Sequence, residues 1–147
     1  MAQVETTATI AAPPERVWSI LLDLPGHSRW NPFIRSIAGE IRVGGRLALT
    51  VQPPGGRPMR FQPTLLVAEP ARELRWRGRL VLPGLFDGEH WLRLQPDGAG
   101  TRLVHGERFS GLLVPLLAGT LDRTRAGFEA MNAALKAEAE KAWAEKD

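Results

Sequence analysis

From Ile34 onward the chain alternates like β-strand for about seventy residues, with turn residues at short intervals, and then the alternation stops for good near Leu112. The next apolar positions, Val114, Leu117, Leu121, Phe128, Met131 and Leu135, fall at spacings of three, four and seven, which is the stripe of one long helix, kinked or restarted near Gly119-Thr120. This order constrains the fold more than any other feature. Consecutive strands joined by short turns form an antiparallel sheet, and its apolar face needs a cover. The terminal helix is the only segment long enough to provide it.

The start of the chain adds a strand over residues 4–11 and then a helix opened by Pro13 and Pro14, with Val17, Trp18, Leu21 and Leu22 as its apolar stripe. "PGHSRWNPFI" breaks that helix and holds a second short helix or ordered loop with Trp30, Pro32 and Phe33. In the long strand region, Pro63 within "MRFQPTLLV" predicts an edge strand or a bulge. Asp97-Gly98 marks a hairpin. At 147 residues the expectation is one domain, residues 1–147.

The last strand, "RLVHGERFSG", places Leu103, His105, Glu107 and Phe109 on one face. Two ionisable groups between two core residues need partners, because a buried unpaired charge costs several kcal/mol. His90 in the preceding strand shares parity with Phe86, Leu92 and Leu94 and is the natural third member. A two-residue Asp97-Gly98 turn sets His90 opposite His105, whereas a four-residue loop sets it opposite Glu107 and Leu94 opposite Leu103. Either register keeps the three polar groups on one face.

Four uses of such a trio compete: a mutually satisfied pair, a polar anchor for a ligand, an acid-base couple in which His105 or Glu107 moves a proton, and a metal site. The last lacks any ligand-spacing motif, and no metal is expected. No G-x-S-x-G elbow or phosphate loop is present. The absence of cysteine excludes disulfides and thiolate chemistry.

Sixteen of the nineteen basic residues are arginine, and they are dispersed, so the net charge of +3 does not read as a nucleic-acid surface. Arg75, Arg77 and Arg79 alternate along one strand as a solvated face, and Trp91 has outward parity, which suggests a sheet-surface or subunit contact. No apolar run could cross a bilayer and no export signal opens the chain, so stable membrane insertion is not expected and the cytoplasm is the expected location.

With "TATIAAPPERVWSILLDL", "RWNPFI", the strand pair "GEHWLRLQPDGAGTRLVHGERFSG" and the closing helix, the chain resembles the SRPBCC or Bet v 1-like (START-like) superfamily, nearest its bacterial polyketide cyclase/dehydrase-like branch. The resemblance implies an α+β helix-grip fold: a seven-stranded antiparallel sheet curved around the C-terminal helix, two short helices after the first strand, and an apolar cavity between sheet and helix. Such proteins bind lipids, hormones or polyketides, and some are cyclases or dehydratases. No catalytic set is shared among them, so function is argued from the site.

The expected occupant is a small apolar or aromatic molecule, with no cofactor, in a monomer or homodimer. His90, His105 and Glu107 are expected to form the polar floor. Trp30, Phe33, Phe61, Trp76, Phe86, Phe109, Leu117, Leu121 and Phe128 are expected as the apolar walls. A cyclase or dehydratase using His105 or Glu107, and a protein-interaction module, are the alternatives.

Overall fold

The computed structural model describes residues 2–79, 87–141 and 143, and of residues 116–118 the backbone only. Strand β1 (Ala2–Ile10) leads into helix α1 (Pro14–Leu22) and the single-turn helix α2 (His27–Trp30). Seven strands come next: β2 (Ile34–Gly39), β3 (Leu47–Val51), β4 (Met59–Phe61), β5 (Thr64–Glu69), β6 (Glu73–Arg79), β7 (Asp87–Asp97) and β8 (Gly100–Ser110). A 3-10 turn (Val114–Leu117) opens the closing helix α3 (Ala118–Glu140). The restart therefore lies just before Gly119.

The strands form an antiparallel five-stranded sheet in the order β1-β8-β7-β6-β5 and a three-stranded sheet β2-β3-β4. This is the α+β helix-grip arrangement, with eight strands among the described residues in place of the expected seven. Pro63 is the reason. It has no N–H for a ladder and splits one expected strand into β4 and β5. Its carbonyl still accepts from Leu47 N at 2.9 Å, and Leu65 N donates to Gly45 O at 2.8 Å, so the two sheets stay laced together beside the break.

Pro14 opens α1 where no donor is missed, and Val17, Trp18, Ile20 and Leu21 bury its inner stripe. A buried histidine holds the segment between α1 and β2. His27 Nε2 donates to Leu21 O at 2.8 Å, and its Nδ1 accepts from Asn31 Nδ2 at 3.0 Å. Asn31 Oδ1 then accepts from the backbone N–H groups of Phe33 and Ile34, both at 2.9 Å. Burial holds the His27 pKa below its ordinary value, in keeping with a neutral ring. The chain thus enters β2 in one orientation, with Phe33 and Ile34 turned inward.

Helix α3 lies across the sheet through Phe128, Met131, Leu135 and Ala139, none of them exposed. Its last turn is fastened to the start of α1: Ala11 N donates to Glu140 Oε2 at 2.7 Å, and Arg16 reaches the carbonyls of Glu138, Ala139 and Lys141. A guanidinium at a helix C-terminus satisfies carbonyls that the helix leaves open.

The β7–β8 register pairs His90 with Glu107 and Leu94 with Leu103, and the ladder closes at Asp97 and Gly100. This is the register of the longer loop, yet the turn holds only two residues, Gly98 and Ala99. Gly98 takes φ 60°, the left-handed conformation that a two-residue hairpin demands at its first central position.

On the outer face Trp91 is only 2% exposed, which corrects the expectation of a surface or subunit contact there. Its ring lies over Gly106, with the guanidinium groups of Arg75 and Arg93 above it at 5.0 and 5.3 Å from the ring centre. Glu73 and Glu89 hold Arg75, and Glu73 also holds Arg93. Arg75 is therefore a cover for Trp91 and not a free solvated cation. A Cβ at residue 106 would stand 2.6 Å from the indole, so Gly106→Ala should cost about 1–2 kcal/mol through displacement of the ring. Urea denaturation measures it; an unchanged midpoint would mean that the ring has room to slide.

Candidate functional site

Three neighbouring strands bring the polar groups together. Trp76 on β6, His90 on β7 and Glu107 on β8 are direct cross-strand partners in one row. Thr6 on β1 and His105 on β8 are partners in the next row. The Trp76 and His90 rings stack at 4.6 Å with 13° between their planes, and His90 Nδ1 lies 3.2 Å from Glu107 Oε1. His90 Nε2 lies 2.8 Å from His105 Nε2. Behind them Phe128 of α3 stacks on His105 at 4.1 Å and meets His90 edge-on at 5.0 Å.

The far side of His105 ends in a helix residue. His105 Nδ1 is 2.8 Å from Asn132 Oδ1, Asn132 Nδ2 donates to Thr6 Oγ1 at 2.8 Å, and Thr6 Oγ1 donates to the carbonyl of His105 at 3.0 Å. This row of contacts has a direction. A carbonyl only accepts, so the Thr6 proton is committed to His105 O and its oxygen must accept from Asn132. Reversing the Asn132 amide would leave one hydroxyl proton between two acceptors.

Asn132 Oδ1 therefore accepts from His105 Nδ1–H. A neutral His105 then accepts at Nε2, so His90 donates from its own Nε2. A neutral His90 is left with a bare Nδ1, and the remaining proton comes from Glu107 as a carboxylic acid. Burial acts in the same sense. It pushes the Glu107 pKa up to about 8 and the His90 pKa down to about 3. His105 is held well below its ordinary value, first by burial and then by His90 beside it, against the Asn132 hydrogen bond.

Glu107 is the one member that meets open space with its oxygens. Its side chain is 20% exposed, onto a cavity of about 280 Å³ lined by Phe33, Ile34, Leu49, Val51, Pro53, Met59, Phe61, Pro63, Trp76, Gly78, Gly88, His90, Glu107, Phe109, Thr120 and Thr124. The cavity lies between the two sheets and the first turns of α3. Gly88 matters here: a Cβ at that position would collide with Glu107 Oε2, so its absence leaves that oxygen free beside the cavity.

Of the residues expected at such a site, His90, Glu107, Phe33, Phe61, Trp76 and Phe109 border the cavity. His105 does not. It is fully buried behind His90, where Asn132 and Phe128 enclose it, because the observed register sets it one row further from the cavity than Glu107. Phe128 likewise belongs to the packed layer, edge-on to Phe33 at 5.4 Å. Trp30 stands at α2 against His27, at 4.9 Å, and Leu121 packs on the core beside the lining rather than in it. Phe86 and the Leu117 side chain lie outside the described residues. Among the described residues no three His, Asp or Glu side chains are grouped so as to hold a metal ion.

Comparison with known proteins places this geometry. The family described as "Polyketide cyclase / dehydrase and lipid transport" matches residues 1–142. The chain belongs to that family. Among solved structures it is similar to a START superfamily protein from Mycobacterium smegmatis, with a TM-score of 0.74, 21% identity, and 95% of this chain and 97% of the other covered. A Mesorhizobium loti protein gives 0.73 at 21% identity over 99% of each chain. A third, Ara h 8.0201, gives 0.69 at 14% identity over 94% of this chain and 97% of the other. At such identities the likeness concerns fold. No curated protein sequence matches. Among the described residues no helix is long and apolar enough to cross a membrane.

The residues that sequence reasoning missed at this site are the supporting ones. Asn132 carried a signal: it interrupts the apolar stripe of Phe128, Met131 and Leu135 and is itself buried. Thr6 carried a weaker one, inward parity between Val4 and Ile10 in β1. Thr120 and Thr124, near the start of α3, were not distinguishable from an exposed helix face. Thr124 turns its hydroxyl proton back to Thr120 O at 3.0 Å.

Proposed function

We propose that this protein binds an apolar or aromatic small molecule, lipid- or polyketide-like, in the cavity between the sheets and α3. The observation that carries the reading is the lining: aromatic and branched apolar side chains surround about 280 Å³, with one carboxyl group placed among them. That volume is close to the lower end of the roughly 300–1,000 Å³ of small-molecule sites, and the few polar groups suit orientation more than bulk affinity. On the outer face that the interaction-module alternative would use, Trp91 and Arg75 are engaged with each other, while Arg77 and Arg79 stay exposed.

The test is titration with an uncharged fluorescent arylnaphthylamine probe. Saturable one-site binding is expected. Val51→Trp, which places an indole in the cavity from β3, should weaken it by about tenfold or more, equivalent to about 1.4 kcal/mol. Absence of uptake by the unmodified protein across apolar and aromatic probes would reject the reading.

Glu107 supports a second reading, an enzyme of the cyclase or dehydratase kind. A carboxyl group with a pKa raised to about 8, touching the cavity and hydrogen-bonded to an imidazole, is suited to give or take a proton near neutral pH. On a cyclisable substrate Glu107→Gln would then abolish turnover while binding survives. Equal turnover in both proteins would exclude Glu107 as the acid.

A further inference from the structure

We propose that the molecule this cavity selects carries a neutral O–H or N–H donor on its apolar frame and delivers it to Glu107 Oε2, and that carboxylate-headed molecules are rejected. The inference rests on the binding reading above and narrows its ligand class. Glu107 Oε1 is engaged with His90 Nδ1, and Oε2 lies over Gly88, where among the described residues nothing donates to it. Whichever of Glu107 and His90 holds the shared proton, Oε2 remains an acceptor. Because Oε2 faces the cavity, a purely apolar ligand that fills the space strands this acceptor, whereas a ligand hydroxyl satisfies it.

The rest of the lining points the same way. His90 has both ring nitrogens committed, to Glu107 and to His105. No lysine or arginine lines the cavity among the described residues. An ionised headgroup would therefore be desolvated beside a carboxyl group with no cation to meet it, whereas a phenol or alcohol arrives uncharged and supplies the missing donor. His90 is also packed between Trp76 and Phe128, which favours one position of the acceptor before anything binds.

The experiment is calorimetric titration at pH 7 with three probes of one shape: β-naphthol, β-methylnaphthalene and β-naphthoate. The full chain should bind β-naphthol about tenfold more tightly than β-methylnaphthalene, the worth of one hydrogen bond to an otherwise unsatisfied acceptor, and β-naphthoate more weakly than either. Glu107→Gln should retain the preference for β-naphthol, because its amide can donate to His90 Nδ1 and leave a carbonyl oxygen toward the cavity. Glu107→Leu should bind β-naphthol no better than β-methylnaphthalene.

Equal affinity of the unmodified protein for β-naphthol and β-methylnaphthalene would overturn this inference and leave the binding reading standing. So would tight β-naphthoate binding, or a β-naphthol preference that persists in Glu107→Leu. Failure to take up any of the three, together with failure of the arylnaphthylamine probe, would remove both. Should Glu107→Leu not fold, the three-probe comparison on the unmodified protein and on Glu107→Gln decides alone.

Discussion

Asn132→Leu should lower the unfolding free energy by about 3 kcal/mol, a large fraction of the roughly 5–15 kcal/mol that holds a protein of this size together. Leucine is near asparagine in size, so the effect is chemical rather than a cavity. The substitution removes the acceptor of His105 Nδ1–H and the donor to Thr6 Oγ1, both in a fully enclosed layer under Phe128. Stranding the His105 N–H costs roughly 1–3 kcal/mol, and losing the bond to Thr6 Oγ1, which still donates to His105 O, costs about 1 more. Adding Thr6→Val to Asn132→Leu should cost less than the sum of the two single changes, because the first has already broken the shared bond. Urea denaturation at neutral pH measures all three proteins. A loss under about 1 kcal/mol for Asn132→Leu would mean that His105 finds another acceptor, and the directed order of hydrogen bonds would fall with it.

The second large effect is on the pH dependence of stability. Glu107 ionises near its ordinary value in the unfolded chain but only near pH 8 in the folded one. Between those values the folded state holds a proton that the unfolded state has lost, so this group's contribution falls as pH rises. The histidines act oppositely. His90 keeps its ring neutral in the folded state down to about pH 3, and His105 is lowered in the same direction, so their contribution is lost as pH falls below the ordinary histidine value of 6.5. Stability should therefore peak near pH 6.5 and decline on both sides.

Glu107→Gln removes the whole of the Glu107 contribution, which opposes that of the histidines below pH 6.5 and acts alone from there to about pH 8. Glutamine has no proton to lose and can still donate to His90 Nδ1. At about 1.36 kcal/mol per pH unit, the variant should gain about 2 kcal/mol on the unmodified protein between pH 6.5 and 8, and its acid limb should be steeper. Paired urea denaturation series across that range check it. A variant that runs parallel to the unmodified protein above pH 6.5 would show that the Glu107–His90 pair holds no proton in the folded state there.

These two predictions describe one device. The row from His105 O through Thr6, Asn132, His105 and His90 ends on Glu107, and its last two members, His90 and Glu107, border the cavity. Its interior part acts on stability, and its terminal carboxyl faces the cavity. The same bonds that make the layer costly to disturb hold the Glu107 oxygens in place at the site.

Much of this was legible in the residues. The order of elements, the faces of the strands, the apolar stripe of α3 and the association of His90, His105 and Glu107 all come from periods of 2 and 3.6, which are local properties of a chain. The break at Pro63 comes from its missing N–H, although its outcome is two strands in different sheets instead of one irregular strand. Trp91 was read correctly as outward-facing, but its burial depends on arginines from β6 and β7 closing over it. Trp30 and Leu121 have apolar character that parity alone assigns to the interior without saying whether that interior is core or cavity.

The amino-acid order by itself determined which side of each element is apolar, that one helix must cover an antiparallel sheet, and that a carboxyl and two imidazoles share the covered face. Tertiary structure decided how deep each of them lies. The β7–β8 register put Glu107 rather than His105 beside the cavity. The position of α3 along the sheet brought Asn132 to His105 from 27 residues away and to Thr6 from 126. Parity is set by neighbouring bonds, whereas the boundary between packed core and open cavity is set by where distant elements stop short of each other, and no local pattern encodes that distance.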